Sequence, residues 1–221
     1  MIFQLELNGV EVDVSCPDTG LTKIIVRDIL ESATYPIYRF MHDIESIVDI
    51  GAHVGAFSAR MACTFPEAVI RAYEPNPEVF SYLKTNLNLP GRVIYLHPVG
   101  VGDRTGTATL GLYEDSVLTS EFPVPNKQLL GQIEVQIMDA FDLPGRIDIL
   151  KIDTEGNEMP ILRRLGQRLF DIPYIYLEFH SQADRLEIDK MLLPTHNLHS
   201  AKIIHSGCGE VFYLKHGWGA M

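Results

Sequence analysis

Cysteine is scarce: Cys16, Cys63 and Cys208 are the three in 221 residues. No two of them form a C-x-x-C pair, so zinc-ribbon and thioredoxin chemistry lack their ligands. An odd, sparse count fits reduced thiols in a cytoplasmic chain, each acting as a small apolar residue. Long apolar runs are absent too. Nowhere do ~18 apolar residues follow one another, so no membrane span is expected. The start, MIFQLELNGVEVDV, alternates apolar and polar residues and lacks the basic opening and apolar core of a signal peptide. Positive charge is the third shortage. Lys and Arg number 18 against 29 Asp and Glu, a net charge of −11. Broad phosphate-backbone contact depends on clustered Lys and Arg, so no nucleic-acid partner is expected.

What is present reads as one globular domain over residues 1–221, with 46% hydrophobic and 21% charged residues. Residues 1–45 form an N-terminal extension. Two alternating runs flank Asn8-Gly9, a hairpin turn, and helical spacing over Thr22 to Glu31 ends before Tyr35-Pro36. From residue 46, short β-branched runs alternate with helical patterns. Strands are expected at 46–50, 68–73, 93–97, 147–152 and 173–179. Helices are expected at 56–65, 158–170 and 183–193, and after the N-cap pair Asn76-Pro77. Thr107 to Leu112 and Ile133 to Ile137 read as strands around a polar, Pro-containing loop. Lys202 to His205 and Glu210 to Lys215 read as a terminal hairpin. The alternation predicts an α/β fold, a Rossmann-like, doubly wound, mostly parallel sheet. Ligands of such sheets bind beyond the carboxyl ends of the strands, so residues just after each strand matter most.

The first strand leads into Asp49-Ile50-Gly51-Ala52-His53-Val54-Gly55 and a helix. Two glycines open the backbone, and a helix start offers free N–H groups to an anion. The spacing is neither G-x-G-x-x-G nor the P-loop G-x-x-x-x-G-K-[ST]. Glu74, followed by Pro75, ends the second strand roughly twenty residues after Gly51, where an acidic residue accepts both ribose hydroxyls. Val99 to Arg104, a flexible stretch after the third strand, either flanks an adenine ring or is a plain turn. Asp153, Glu155 and Glu158 crowd the end of the fourth strand, where three carboxylates call for a cation, a sulfonium or a proton transfer. Glu178 and His180 end the fifth.

Four segments, IVDIGAHVGAFS, AYEPNPEVFSYLKTNL, VGVGDRTG and IDILKIDTEGNE, run from Ile47 to about Leu165. In this order and separation they resemble the FkbM-type family of S-adenosylmethionine-dependent methyltransferases. The resemblance implies a seven-stranded class I methyltransferase sheet with an antiparallel last strand. It implies S-adenosylmethionine as cofactor. Asp49, Gly51, Ala52, His53 and Gly55 would shape the pocket for its methionine part, Glu74 and Pro75 its ribose end, and Val101, Gly102 and Asp103 its adenine. Asp153, Glu155 and Glu158 would lie near the transferred methyl group. His53 departs from the family's usual Asn. Family members mostly methylate hydroxyls of sugars, glycolipids and polyketide-type molecules, so O-methylation of a small hydroxylated molecule is the expectation.

His180 is the first candidate base, because imidazole titrates near neutrality, and Glu155 or Asp153 the second. Glu158, Glu178 and Tyr38 are candidate acceptor contacts, and Tyr35 and Tyr38 either lid the pocket or close the core edge. Asp153, Glu155 and Glu178 offer hard oxygen ligands, but one D-x-E beside a strand is thin support, and no metal is assigned. His196-x-x-His199 reads as a solvated loop rather than a zinc site. The strand-rich stretch 106–138 either walls the acceptor site or pairs with a second subunit. Two other classes stay open: an NAD(P)-dependent oxidoreductase, disfavoured by glycine spacing, and a non-catalytic cofactor-binding scaffold.

Overall fold

The computed structural model describes residues 1–7, 9–31, 33–113, 119–120, 128–205 and 207–218. Strands β1 (Ile2–Leu7) and β2 (Val10–Ser15) form the expected N-terminal hairpin, closed by the pair Leu7 and Val10, while Asn8 of its turn lies outside the described residues. Helix α1 spans Gly20–Leu30. Thr19 caps it, its hydroxyl accepting from the Thr22 amide at 3.2 Å, so the helix starts two residues earlier than its apolar spacing indicates.

The central sheet is seven-stranded. Its parallel strands are β3 (Ser46–Ile50), β4 (Val69–Tyr73), β5 (Val93–His97), β10 (Ile149–Ile152) and β11 (Tyr174–Phe179). β12 (His196–His205) and β13 (Cys208–Lys215) complete it in the order β12-β13-β11-β10-β3-β4-β5. β13 runs antiparallel to both neighbours. The last strand is therefore the reversed one, as the resemblance implies, and the fold is a Rossmann-like, mostly parallel sheet. A smaller sheet holds β6 (Gly100–Gly102), β7 (Gly106–Tyr113), β8 (Thr119–Ser120) and β9 (Leu129–Asp139), ordered β6-β9-β7-β8. Most of the Pro-containing loop between its strands, and Ser206 of the terminal hairpin, lie outside the described residues.

β3 and β10 are buried throughout, which explains their unbroken apolar sequence. Alternate residues feed two cores. On one face Ile47, Ile149, Tyr174, Tyr176 and Phe212 pack under α1, α2 (Ala56–Thr64), α3 (Pro77–Asn86) and the β1–β2 hairpin. On the other, Val48, Leu150, Ile175 and Tyr213 meet α4 (Glu158–Leu165) and α5 (Gln182–Leu192). Asn76 caps α3 with Pro77 at its first position, as expected. No helix among the described residues is long and apolar enough to cross a membrane.

Three expectations need correction. The helix predicted over 158–170 stops at Leu165, where Gly166 takes φ 53°, and continues as a 3₁₀ run, Gly166–Asp171. Gly100 to Gly102 is a strand paired in parallel with β9, not a flexible stretch. His196 and His199 belong to β12 rather than a solvated loop. His196 is fully buried, with Nε2 at 2.8 Å from the Ile172 carbonyl and Nδ1 at 2.9 Å from the Thr195 hydroxyl.

Candidate active site

The carboxyl ends of β3, β4 and β10 meet around the Gly51 turn. A Cβ on Gly51 would fall 1.7 Å from the Asp153 carbonyl oxygen, and its φ is 74°. Glycine is needed here because two strand ends touch backbone to backbone. The Gly51 and Ala52 amides donate to the Tyr73 carbonyl at 3.0 and 2.9 Å, which locks the turn to β4. Gly55 serves packing instead. It takes φ 88° at the start of α2, and a Cβ there would meet Leu83 at 2.8 Å and Leu87 at 3.1 Å.

Above this turn lies a cavity of about 130 Å³. It is bordered by Gly51, Ala52, His53, Glu74, Pro75, Val101, Asp153 and Glu155 of the residues singled out from sequence. Gly102 and Asp103 face an adjoining depression beside Asn157. Asp49 is fully buried behind the wall, where it accepts from the Ser58 hydroxyl at 2.7 Å. Glu158, Glu178 and His180 form a polar network alongside, and Tyr38 borders a separate groove. Ile25 and Ile29 of α1 complete the apolar wall, so the extension does close over this pocket, but through its helix.

Glu74 is buried at the cavity edge. Its two carboxylate oxygens accept from the His53 amide at 2.9 Å and the Asn76 amide at 2.8 Å. Each oxygen keeps a lone pair free, which matches the two adjacent hydroxyls of a ribose. Burial pushes this carboxyl up to about 7 against those hydrogen bonds, so the site favours a ligand that donates to it. The His53 ring also borders the cavity. Burial and the nearby Lys151 charge hold it down to about 4, so it is neutral at pH 7.

The opposite end is acidic. Burial opposes ionisation of Asp153, but Lys151, a hydrogen bond from Glu178 and another from Tyr35 outweigh it and hold Asp153 down to about 2. The Tyr35 hydroxyl donates to Asp153 at 2.8 Å. Burial, then the Asp153 charge, pushes Glu178 well above the usual carboxylate range. Burial and the same charge raise Glu155 to about 7. His180 lies 3.2 Å from Glu178 and 3.7 Å from Glu158. Burial lowers its affinity for a proton, but contacts with Cys208, Glu158 and Glu178 outweigh that and hold it protonated well above neutrality. An imidazolium has no lone pair to accept a proton, which removes the physical reason for preferring His180 as base.

Lys151 is the residue that the sequence reading missed. It is buried on β10, with Nζ 2.5 Å from the Gly51 carbonyl, 3.2 Å from Asp49 and 3.5 Å from Asp153. One signal was available: a lysine inside the apolar run Ile149-Leu150-Lys151-Ile152 must find a buried counter-charge. Glu178, His180 and Cys208, and separately Asp153, Glu155 and Glu178, bring potential ligand atoms within 4.8 Å of one another. Lys151 and His180 already stand against these carboxylates, and no metal is assigned to either.

A model of the methyltransferase FkbM domain matches residues 49–201. The chain is 26% identical over 174 residues to Methyltransferase 1 of Beauveria bassiana, covering 68% of this chain and 70% of that protein. It is 24% identical over 177 residues to the hexuronic acid methyltransferase AglP of Haloferax volcanii, covering 76% and 66%. Each match spans about two thirds of the relative's length. Among solved structures, the precorrin-6Y C5,15-methyltransferase of Geobacter metallireducens is 14% identical with a TM-score of 0.48, covering 90% of this chain and 91% of that one. With the family model covering more than half of its length, and the Gly51, Glu74 and Asp153 strand ends inside that match, the chain belongs to the FkbM methyltransferase family.

Proposed function

We propose that the chain is an S-adenosylmethionine-dependent O-methyltransferase acting on a hydroxyl of a sugar or a similar small molecule. One observation carries the reading. A single cavity at the strand ends holds Glu74, with two open acceptor positions, at one end and the Asp153–Glu155 carboxylates at the other. Glu74 would hold the ribose, the Gly51 to His53 turn the amino-acid portion, and Val101 with Pro75 the adenine side. Bound there, S-adenosylmethionine supplies a methyl group on a positively charged sulfur. The ionised Asp153 gives that charge a partner.

The chain's own task is to orient an acceptor oxygen and take its proton. Glu155 suits this role, because a base poised near the working pH combines availability with driving force. Asp153, held near 2, is too weak a base and serves as fixed charge. AglP is named for a hexuronic acid, which supports a carbohydrate acceptor. The carboxylates around Glu155 favour a neutral hydroxyl over an anionic nucleophile.

Isothermal titration of S-adenosylhomocysteine against wild type and Glu74→Gln tests the cofactor assignment. Affinity should fall at least tenfold in the variant, because Gln cannot accept from both hydroxyls. Transfer of labelled methyl from S-adenosylmethionine to a saccharide panel tests the reaction. Binding of NADH in place of the adenosyl compound would overturn the reading.

A further inference from the structure

A second cavity of about 140 Å³ lies on the sheet face covered by the extension, between residues 33–38 and the β12–β13 hairpin. Its wall is apolar on one side, from Tyr35, Tyr38 and Phe212, and polar on the other, from Lys202 and Glu210. The groove adjoins the carboxylate end of the first cavity. Antiparallel register sets Glu210 of β13 directly opposite Glu178 of β11, about 5 Å apart at Cα. Tyr35 links the two: it borders the groove, and its hydroxyl bonds Asp153 of the first cavity at 2.8 Å.

An occupant must satisfy both sides. A lipid tail would strand Glu210 and Lys202 against apolar surface. A phosphate would meet Glu210, with Glu178 and Asp153 behind it. A pyranose ring has apolar C–H faces and a rim of hydroxyls that donate to a carboxylate and accept from an ammonium. Burial raises the Glu210 carboxyl to about 7, although Lys202 draws it down, so it gains from added hydrogen-bond donors.

We propose that this groove is an acceptor subsite for a neutral glycosyl ring linked to the residue being methylated. The ring rests on the Tyr35–Tyr38 side, with its hydroxyls on Glu210 and Lys202. This rests on the carbohydrate reading above, and the test separates the two. Labelled protein saturated with S-adenosylhomocysteine is applied to an array of neutral mono-, di- and oligosaccharides, as wild type, Glu210→Gln and Lys202→Ala. Disaccharides or longer chains should be retained over monosaccharides, and both variants should lose at least tenfold in retention. Both should keep wild-type affinity for S-adenosylhomocysteine, and Glu210→Gln should also keep the wild-type melting temperature, whereas Lys202→Ala gives up hydrogen bonds to the Ala33 carbonyl and the Thr34 hydroxyl and should melt slightly lower. Retention unchanged in both variants, or no neutral saccharide retained, would overturn the subsite. Failure of S-adenosylhomocysteine to bind wild type would instead overturn the cofactor reading.

Discussion

Glu155 carries its carboxylate on a backbone that most side chains avoid. Its φ is 57°, in the left-handed region, and Gly156 follows at 114°. Such a residue costs about 1–3 kcal/mol and persists only where neighbours hold it. Glu158 does the holding: its carboxylate accepts from the Thr154 amide at 2.7 Å, the Thr154 hydroxyl at 2.9 Å and the Gly156 amide at 3.2 Å. Glu158 therefore shapes the loop that presents Glu155. Two substitutions separate strain from chemistry. Glu155→Gln should lower methyl transfer by about 10²–10⁴-fold and remove the rise in rate with pH through about 7, since only the ionised carboxylate accepts a proton. Glu155→Gly should lose activity equally yet melt at an equal or higher temperature, because glycine relieves the backbone. Rates against pH with a turnover acceptor and thermal melts check both. A Gln variant that keeps its alkaline limb would assign the base elsewhere.

The connection after α1 is irregular, but long-range side chains fix it. Buried Arg60 donates Nη1 to the Ile29 carbonyl at 2.6 Å and the Thr34 carbonyl at 3.2 Å. The Tyr176 hydroxyl reaches the Pro36 carbonyl at 2.5 Å, and the Tyr174 hydroxyl the Phe40 carbonyl at 3.2 Å. The same contacts set Ile29 against one cavity and Tyr35 against the other. Arg60→Met would leave two carbonyls unpaired, a loss of about 2 kcal/mol, with faster amide exchange over residues 29–34 and weaker S-adenosylhomocysteine binding. Exchange mass spectrometry with a denaturant series checks this; wild-type protection would show that the connection stands without the arginine. None of these links was legible in the sequence, because each partner lies far away along the chain. The strands, the Gly51 turn and Glu74 were legible, because periodicity, glycine placement and strand ends are local signals. His180 was legible as a candidate site residue but not in its surroundings, which bring Glu158 from α4 and Cys208 from β13. β12 was read short because its missed part, residues 196–201, carries a register shift between Leu198 and Ser200 that breaks the alternation.

Across the whole molecule, the raised groups act in one direction. Glu74, Glu155 and Glu210 are each held near 7 against an ordinary 4.5, and His180 is raised above its ordinary 6.5. In each case the folded chain binds protons more tightly than the unfolded chain. Their stabilising contribution is complete at low pH and is lost as pH rises through the folded values. The neutral His53, held near 4, has the opposite sign, but its effect is confined between about 4 and 6.5. From pH 6.5 to about 8 the raised groups govern the slope among the described residues, so the ligand-free chain should melt at progressively lower temperature across that window. Held as proposed, S-adenosylhomocysteine would offer hydroxyl donors to Glu74 and favour its ionised form, so saturating ligand should make the decline shallower. Glu74→Gln should make it shallower without ligand and insensitive to ligand. A melting temperature that rises from pH 6.5 to about 8 in wild type would mean that these carboxyls are ionised and solvated in the free chain. Glu74 would then meet the cofactor as a hydrated carboxylate rather than a buried acid awaiting its donors.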